Sequence, residues 1–399
     1  MILSENLDHV YSDIRGDIYM HALELEKQGN KVLKLNTGNP AAFGFKMPDS
    51  IKNRIITDVE KSLGYCDLKG MPVARAAIRD YHLSKGLKNI TEDDVFIGNG
   101  VSEVAHMIIA SLVGKGDEVL VPTPCYSLWT NFTYLSGGNV RFYECDEANG
   151  WQPDIDSIKK AVTNKTKAIV VINPNNPTGA LYSEEILLEI IDIARKNNLV
   201  LISDEIYDRL VMDEKQHTST AALADDVTIV TMNGLSKSHC ICGLRCGWIC
   251  LSGREEEKKV LRDALVRIAS VRLCSNALMQ LVIPDALSDP EYTKGMIGTN
   301  GRIFRQREAT TQELDKIDGI TYVKNSAAFY LFPKIDIKKF GFESDRDFAR
   351  QLLDEKHILI IPGSGFNCVD KEHFRIVMLP EENALRDAIK SIGDFLAKR

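Results

Sequence analysis

A lysine at the end of a buried strand can attack an aldehyde, and Gly234-Leu235-Ser236-Lys237 offers one after the apolar run 227–232. Burial weakens an amine's preference for charge, and the neutral amine is the form that makes a Schiff base. One lysine among many means little alone, so its neighbours decide. Ser203-Asp204-Glu205-Ile206-Tyr207 closes the strand ending at residue 202. A carboxylate there is costly unless paired; a protonated heterocyclic nitrogen would pair with Asp204, and Tyr207 could reach the same ligand. The competing reading makes Asp204 a helix N-cap. In 173–179, two X-Pro steps and a glycine force a rigid loop that can hold an amide over a ligand, or else form a surface turn.

Anion binding has its own candidates. Asn99-Gly100-Val101-Ser102-Glu103 follows a strand ending near residue 97 and opens a helix. Free N–H groups and the helix dipole there suit a phosphate, although such turns recur throughout α/β proteins. Arg245, within Gly243-Leu244-Arg245-Cys246-Gly247, carries a planar fork that fits phosphate, unless it is a plain surface arginine. In Phe374-Arg375-Ile376-Val377, alternation sets Arg375 opposite the face that Phe374 and Ile376 bury. It then faces solvent or an interdomain cleft, where it could grip a substrate carboxylate.

These groups need a scaffold. Seven β-rich runs, at 94–97, 118–121, 140–144, 167–172, 200–203, 227–232 and 247–251, alternate with helical patterns such as 102–112 and 184–197. That alternation predicts an α/β fold with a mostly parallel seven-stranded sheet, whose ligands collect at the carboxyl ends of the strands. The last hundred residues predict a smaller α+β unit. In it, 320–323 and 328–332 pair as strands, 345–356 and 381–398 are helices, and 358–361 and 374–378 are strands. Helical stretches around 256–269 and 291–317 bridge the parts, and the first 45 residues pack with the C-terminal unit. The division is a large domain at 46–300 and a small domain from 1–45 and 301–399.

With 399 residues, 44% hydrophobic and 26% charged, the chain can bury a full core without disulfides or metals. Its net charge of −7 argues against nucleic acid or an anionic membrane as the main partner. No apolar run approaches the roughly 20 residues of a membrane span, and the first sixteen residues show no secretory pattern. Nine unframed cysteines suit reduced thiols in the cytoplasm. The run Cys240, Cys242, Cys246 and Cys250 lacks a second ligand pair at zinc spacing, so no metal ligand set is expected.

In order, and each after a strand, the segments NPNNPTG (173–179), DEIY (204–207), Ser236-Lys237 and GLRCG (243–247) form a specific set. With them the chain resembles the class I/II aminotransferases of fold type I, pyridoxal-phosphate (PLP) enzymes, over nearly its whole length. The resemblance implies PLP on Lys237, which also shuttles the α-proton, with Asp204 paired to the ring nitrogen. It implies that Tyr207 and Asn176 bond the phenolic oxygen, Tyr126 stacks on the ring, and Val101, Ser102, Ser236 and Arg245 hold the phosphate. Tyr65 would reach the phosphate of a neighbouring subunit, implying a homodimer. Arg375, Asn176 and the backbone of Gly38 would bind the substrate carboxylate.

Segments 38–45 and 64–70, with Phe366, Asn367 and 373–377, are similar to glutamate–pyruvate (alanine) aminotransferases. The implied reaction is ping-pong transfer between L-alanine and 2-oxoglutarate, with Arg15 a candidate for the distal carboxylate. The alternatives are an aminotransferase for aromatic or branched substrates, a PLP-dependent C–S β-lyase, or a PLP-binding regulator; the N-terminus offers no basic helix for the last. One departure stands out: Ser238-His239-Cys240-Ile241-Cys242 replaces the usual residues before Gly243, so Cys240 and Cys242 are expected to line the approach to the phosphate.

Overall fold

The run Thr166–Ile172 is buried at every position but one, as a strand covered on both faces must be. In the computed structural model, which describes residues 3–399, it lies in the middle of an eight-stranded sheet. Along the chain these strands are β1 (Val95–Asn99), β2 (Glu118–Thr123), β3 (Asn139–Asp146), β4 (Gln152–Pro153), β5 (Thr166–Ile172), β6 (Val200–Asp204), β7 (Ile229–Gly234) and β8 (Cys246–Ser252). Their spatial order is β1-β8-β7-β6-β5-β2-β3-β4. Neighbours from β7 across to β3 are parallel, whereas β8 runs antiparallel to both β7 and β1. All seven expected strands are present; β4 adds a two-residue antiparallel edge too short to leave a periodic signal.

Alternate side chains feed two cores. Ile169, Val171, Leu201 and Ile229 join one face, and Ala168, Val170, Ile202 and Val230 the other. Helix Glu184–Asn197 covers the first face with Leu187, Ile190, Ile191 and Ala194, at the three- and four-residue spacing of one helical stripe. Ser183 caps it by accepting from the Ile186 N–H, and Asn198 ends it in the left-handed conformation. Helices Val101–Leu112 and Glu255–Val271 cover the other face.

A third core joins the N-terminal segment to the C-terminal part. Ile18, Ala22 and Leu35 pack with Phe348, Ile376 and Ile389, and Leu33–Lys34 pairs in parallel with Ile358–Leu359. Residues 1 and 2 of the expected small domain lie outside the described residues. Two expectations change here. The strands expected at 320–323 and 328–332 do not pair with each other: Ile320–Thr321 pairs with Lys334–Ile335, and Tyr330–Leu331 pairs with Phe374–Val377. The helical stretch at 291–317 is two helices, Glu291–Ile297 and Arg302–Leu314, parted by a segment with a glycine at each end, Gly298 and Gly301.

Candidate active site

Because β5, β6 and β7 are parallel neighbours, their carboxyl ends lie side by side, roughly 5 Å apart from strand to strand. The loop after β5 brings Asn176, the last residue of β6 is Asp204, and the turn after β7 brings Ser236 and Lys237. Strand β8 is reversed, so its amino end arrives at this same edge. Cys246 pairs with Asn99, which sets Arg245 against Gly100 and the start of helix Val101–Leu112. Gly100 has φ of +83°, the left-handed region that favours glycine, and a Cβ there would push the Arg245 guanidinium from its place. The first N–H groups of that helix have no acceptor within it, and its first two residues, Val101 and Ser102, line the cavity.

These groups line one cavity of about 610 Å³. Asp204 is 7% exposed, and its one backbone donor is the Ile206 N–H at 3.3 Å. Burial pushes its carboxyl up to about 6, with the Lys237 cation pulling in the other direction. Lys237 donates from Nζ to the Gly38 carbonyl at 2.8 Å. The Tyr207 and Tyr330 hydroxyls lie 2.9 Å apart, and burial first, then Tyr330, holds the Tyr207 phenol well above its ordinary range.

Arg375 is 1% exposed, with its guanidinium between the rings of Tyr330 and Phe366, at 4.5 and 4.7 Å. Its Nη1 donates to Asn176 Oδ1 at 2.9 Å and its Nη2 to the Asn36 carbonyl, while Nε has no partner among the described residues. Desolvation lowers its pKa. None of the carboxylates of the described residues pairs with it, so this buried cation faces the cavity ready for an anion.

Of the residues predicted from sequence, Arg15, Gly38, Val101, Ser102, Tyr126, Asn176, Asp204, Tyr207, Ser236, Lys237, Arg245 and Arg375 all line this cavity. Tyr65 does not; it is 84% exposed on the surface. The 173–179 segment is wholly buried rather than a surface turn, and a turn, not a helix, follows Asp204. Arg375 points inward, toward the cleft and not solvent. Of the two cysteines expected near the phosphate, Cys242 lines the cavity, with Sγ 3.2 Å from Asn39 Oδ1. Cys240, at φ +58°, does not line the cavity but packs into the apolar cluster it shares with Ile206, Tyr207 and Tyr330, with Sγ 3.7 Å from Met296 Sδ.

Sequence reasoning missed Tyr330 and Asn36. Tyr330 sits in an apolar run, Ala328-Phe329-Tyr330-Leu331-Phe332, and reads as core; its one polar atom in an otherwise apolar strand is the available signal.

A family model described as aminotransferase class I and II matches residues 30–392. The chain is 48% identical over 394 residues to the glutamate–pyruvate aminotransferase of Haemophilus influenzae, covering 99% of this chain and 98% of that one. It is 42% identical to the alanine aminotransferase of Mycobacterium bovis, covering 98% and 92%. Among solved structures it is similar to an aminotransferase from Escherichia coli, with a TM-score of 0.97 at 42% identity, covering 100% and 98%. An alanine aminotransferase from Pyrococcus furiosus gives a TM-score of 0.95 at 37% identity and covers 100% of both chains.

Proposed function

The chain belongs to the class I and II aminotransferases, and on that premise we propose that it transfers an amino group reversibly between L-alanine and 2-oxoglutarate, giving pyruvate and L-glutamate. The carrying observation is a single cavity that holds a strand-end lysine, a buried carboxylate and a buried arginine without an anion. The glutamate–pyruvate and alanine specificities of its relatives support the choice of substrates.

The cavity fits pyridoxal phosphate. Asp204 is a carboxylate whose pKa is raised by burial, and a protonated ring nitrogen beside it would stabilise its charged form. Arg245, Ser236 and the free N–H groups at Val101 and Ser102 would hold the phosphate, with Gly100 leaving room for the Arg245 guanidinium. When bound, the cofactor supplies the electron sink for charge left at the substrate Cα.

The chain's own residues do the rest. Arg375 takes the substrate carboxylate through its free N–H groups, with the Tyr330 and Phe366 rings flanking the guanidinium. Asn176 fixes one edge of that fork. Lys237 Nζ is placed to hold and return the α-proton, with the Gly38 carbonyl as its resting acceptor. Tyr207 and Asn176 would bond the cofactor's phenolic oxygen, and Tyr126 would cover a ring face. Arg15, at the mouth of the cavity, would receive the distal carboxylate of glutamate and 2-oxoglutarate.

Tyr65, exposed here, would reach the phosphate of a second copy, in a homodimer. We divide the chain into a large domain, 46–300, and a small one, 1–45 with 301–399, on the strength of the shared third core. No helix among the described residues is long and apolar enough to cross a membrane. Nine cysteines, all unpaired, fit a reducing compartment such as the cytoplasm.

The test combines two measurements. Borohydride reduction of the holoenzyme and peptide mapping should place the cofactor on Lys237; a label on any other lysine, or none, ends the assignment. A half-reaction panel should show L-alanine and L-glutamate converting the enzyme to its amino form faster than aromatic or branched amino acids. Ammonia release in place of that conversion would mark a β-lyase instead.

A further inference from the structure

On the side of the molecule behind Arg375, the loop that leads into its strand gathers three unlike ligand types. Cys368 Sγ, Asp370 Oδ1 and His373 Nδ1 all lie within 4.8 Å of one another. The individual separations are 3.5 Å for Cys368 to Asp370, 3.7 Å for Cys368 to His373 and 3.0 Å for His373 to Asp370. Two ligands on a tetrahedral ion with bonds of about 2.0–2.3 Å stand roughly 3.3–3.8 Å apart. The two separations from Cys368 already match such an edge, and the His373–Asp370 pair need open by only a few tenths of an ångström.

The imidazole is held for this task. His373 is fully buried, with its ring stacked on Phe332 at 4.9 Å and 12° and set edge-on to Trp151. Nδ1 faces the cysteine and the aspartate, while Nε2, which makes no hydrogen bond among the described residues, lies 3.3 Å from the Glu147 carboxylate. A bond from that open nitrogen to the nearby carboxylate would orient a metal-binding histidine and raise its basicity. Lys334 lies against the outer oxygens, 3.4 Å from Asp370 and 3.2 Å from Glu372, where it offsets surplus negative charge. The fourth side opens on a groove of about 420 Å³ lined by Cys368 and Asp370, through which an ion and a water ligand can enter.

We propose that Cys368, Asp370 and His373 form a binding site for one divalent transition metal of zinc type, with Glu147 supporting the histidine. The mixed sulfur, nitrogen and oxygen donors favour zinc over magnesium or calcium, which take oxygen alone. An entering ion displaces the Cys368 thiol proton and the His373 Nδ1 proton, so two positive charges leave as two arrive. The bound ion ties down a loop that matters to the cavity. The Phe366 carbonyl accepts from the Cys125 N–H and the Asn367 carbonyl from the Thr123 hydroxyl, next to Tyr126, and Phe366 lies against Arg375.

The experiment uses the full-length holoenzyme, stripped of metal by dialysis against a chelator and titrated with Zn²⁺ or Co²⁺. One equivalent per chain should be retained after gel filtration, and Co²⁺ should give a thiolate charge-transfer band. Zn²⁺ should also block alkylation of Cys368, read by peptide mapping on the unmutated chain. Cys368→Ser and Asp370→Asn change partly exposed positions outside the catalytic cavity, and should weaken binding by at least about 30-fold. Failure to retain metal, alkylation of Cys368 unaffected by Zn²⁺, or affinity unchanged in Cys368→Ser would each overturn the proposal.

Discussion

Two neighbouring residues at the end of β6 have opposite surroundings. Asp204 faces the cavity with one backbone N–H on its carboxylate. Glu205 faces the other way, where Oε1 accepts from the Ser203 and Ser219 hydroxyls and the Thr220 N–H, at 2.9, 2.9 and 3.0 Å. Two of the buried arginines, Arg307 and Arg375, repeat the contrast. Arg307 is fully buried but forked onto Asp213, and also donates to the Asn325 carbonyl, whereas Arg375 lacks a carboxylate among the described residues. Burial is common to all four. What separates the cavity pair is hydrogen-bonding capacity left open toward a space of ligand size, which is costly in a resting protein and useful once a ligand completes it.

Substitutions can break that contrast. The largest effect belongs to Lys237→Ala, which should lower turnover by about 10⁴-fold or more while leaving the melting temperature nearly unchanged, because the amine holds only one backbone carbonyl. Steady-state kinetics with calorimetry checks both halves. Next, Asp204→Asn should cost kcat about 100-fold or more, and Glu205→Gln no more than about 3-fold. Equal losses in the two variants would mean that both carboxylates serve the reaction and the contrast is wrong.

Arg375→Lys should raise the KM for L-alanine by about 30- to 100-fold, since an ammonium cannot donate the same fork. Arg307→Lys should lower the melting temperature and spare KM.

The smallest effect is a pH dependence. Burial pushes the Glu205 carboxyl up to about 8, against an ordinary 4.5, with Asp208 adding to the rise. The folded state therefore binds this proton more tightly than the unfolded state. Its contribution to stability is complete below about pH 4.5 and is lost as the pH climbs through 8. Urea midpoints of the cofactor-free protein between pH 5 and 9 should fall with pH, and less steeply in Glu205→Gln. Asp204 has the same sign over the lower window from 3.8 to about 6.

Much of the site was legible because its signals are local. A proline-bound loop, an acidic strand end, a glycine before a helix and a lysine after an apolar run each declare themselves within a few residues, and 12 of the 13 site residues named from sequence line the cavity. Tyr65 stands apart, exposed outside the cavity. Cys240 and Cys242 were indistinguishable in sequence, and one left-handed residue sends their side chains to different places.

The sequence by itself determined the seven main strands, the covering helices and the order of the motifs, because hydrophobic period and turn chemistry act over short distances. Tertiary structure decided which groups meet. The reversal of β8 brings Arg245 beside Gly100, and Tyr207 finds Tyr330 across 123 residues. Arg375 is turned inward between two rings, and Cys368, Asp370 and His373 receive Glu147 from a distant turn. Those meetings depend on strand direction and register across the whole sheet and the unit packed on it, which no local window of residues encodes.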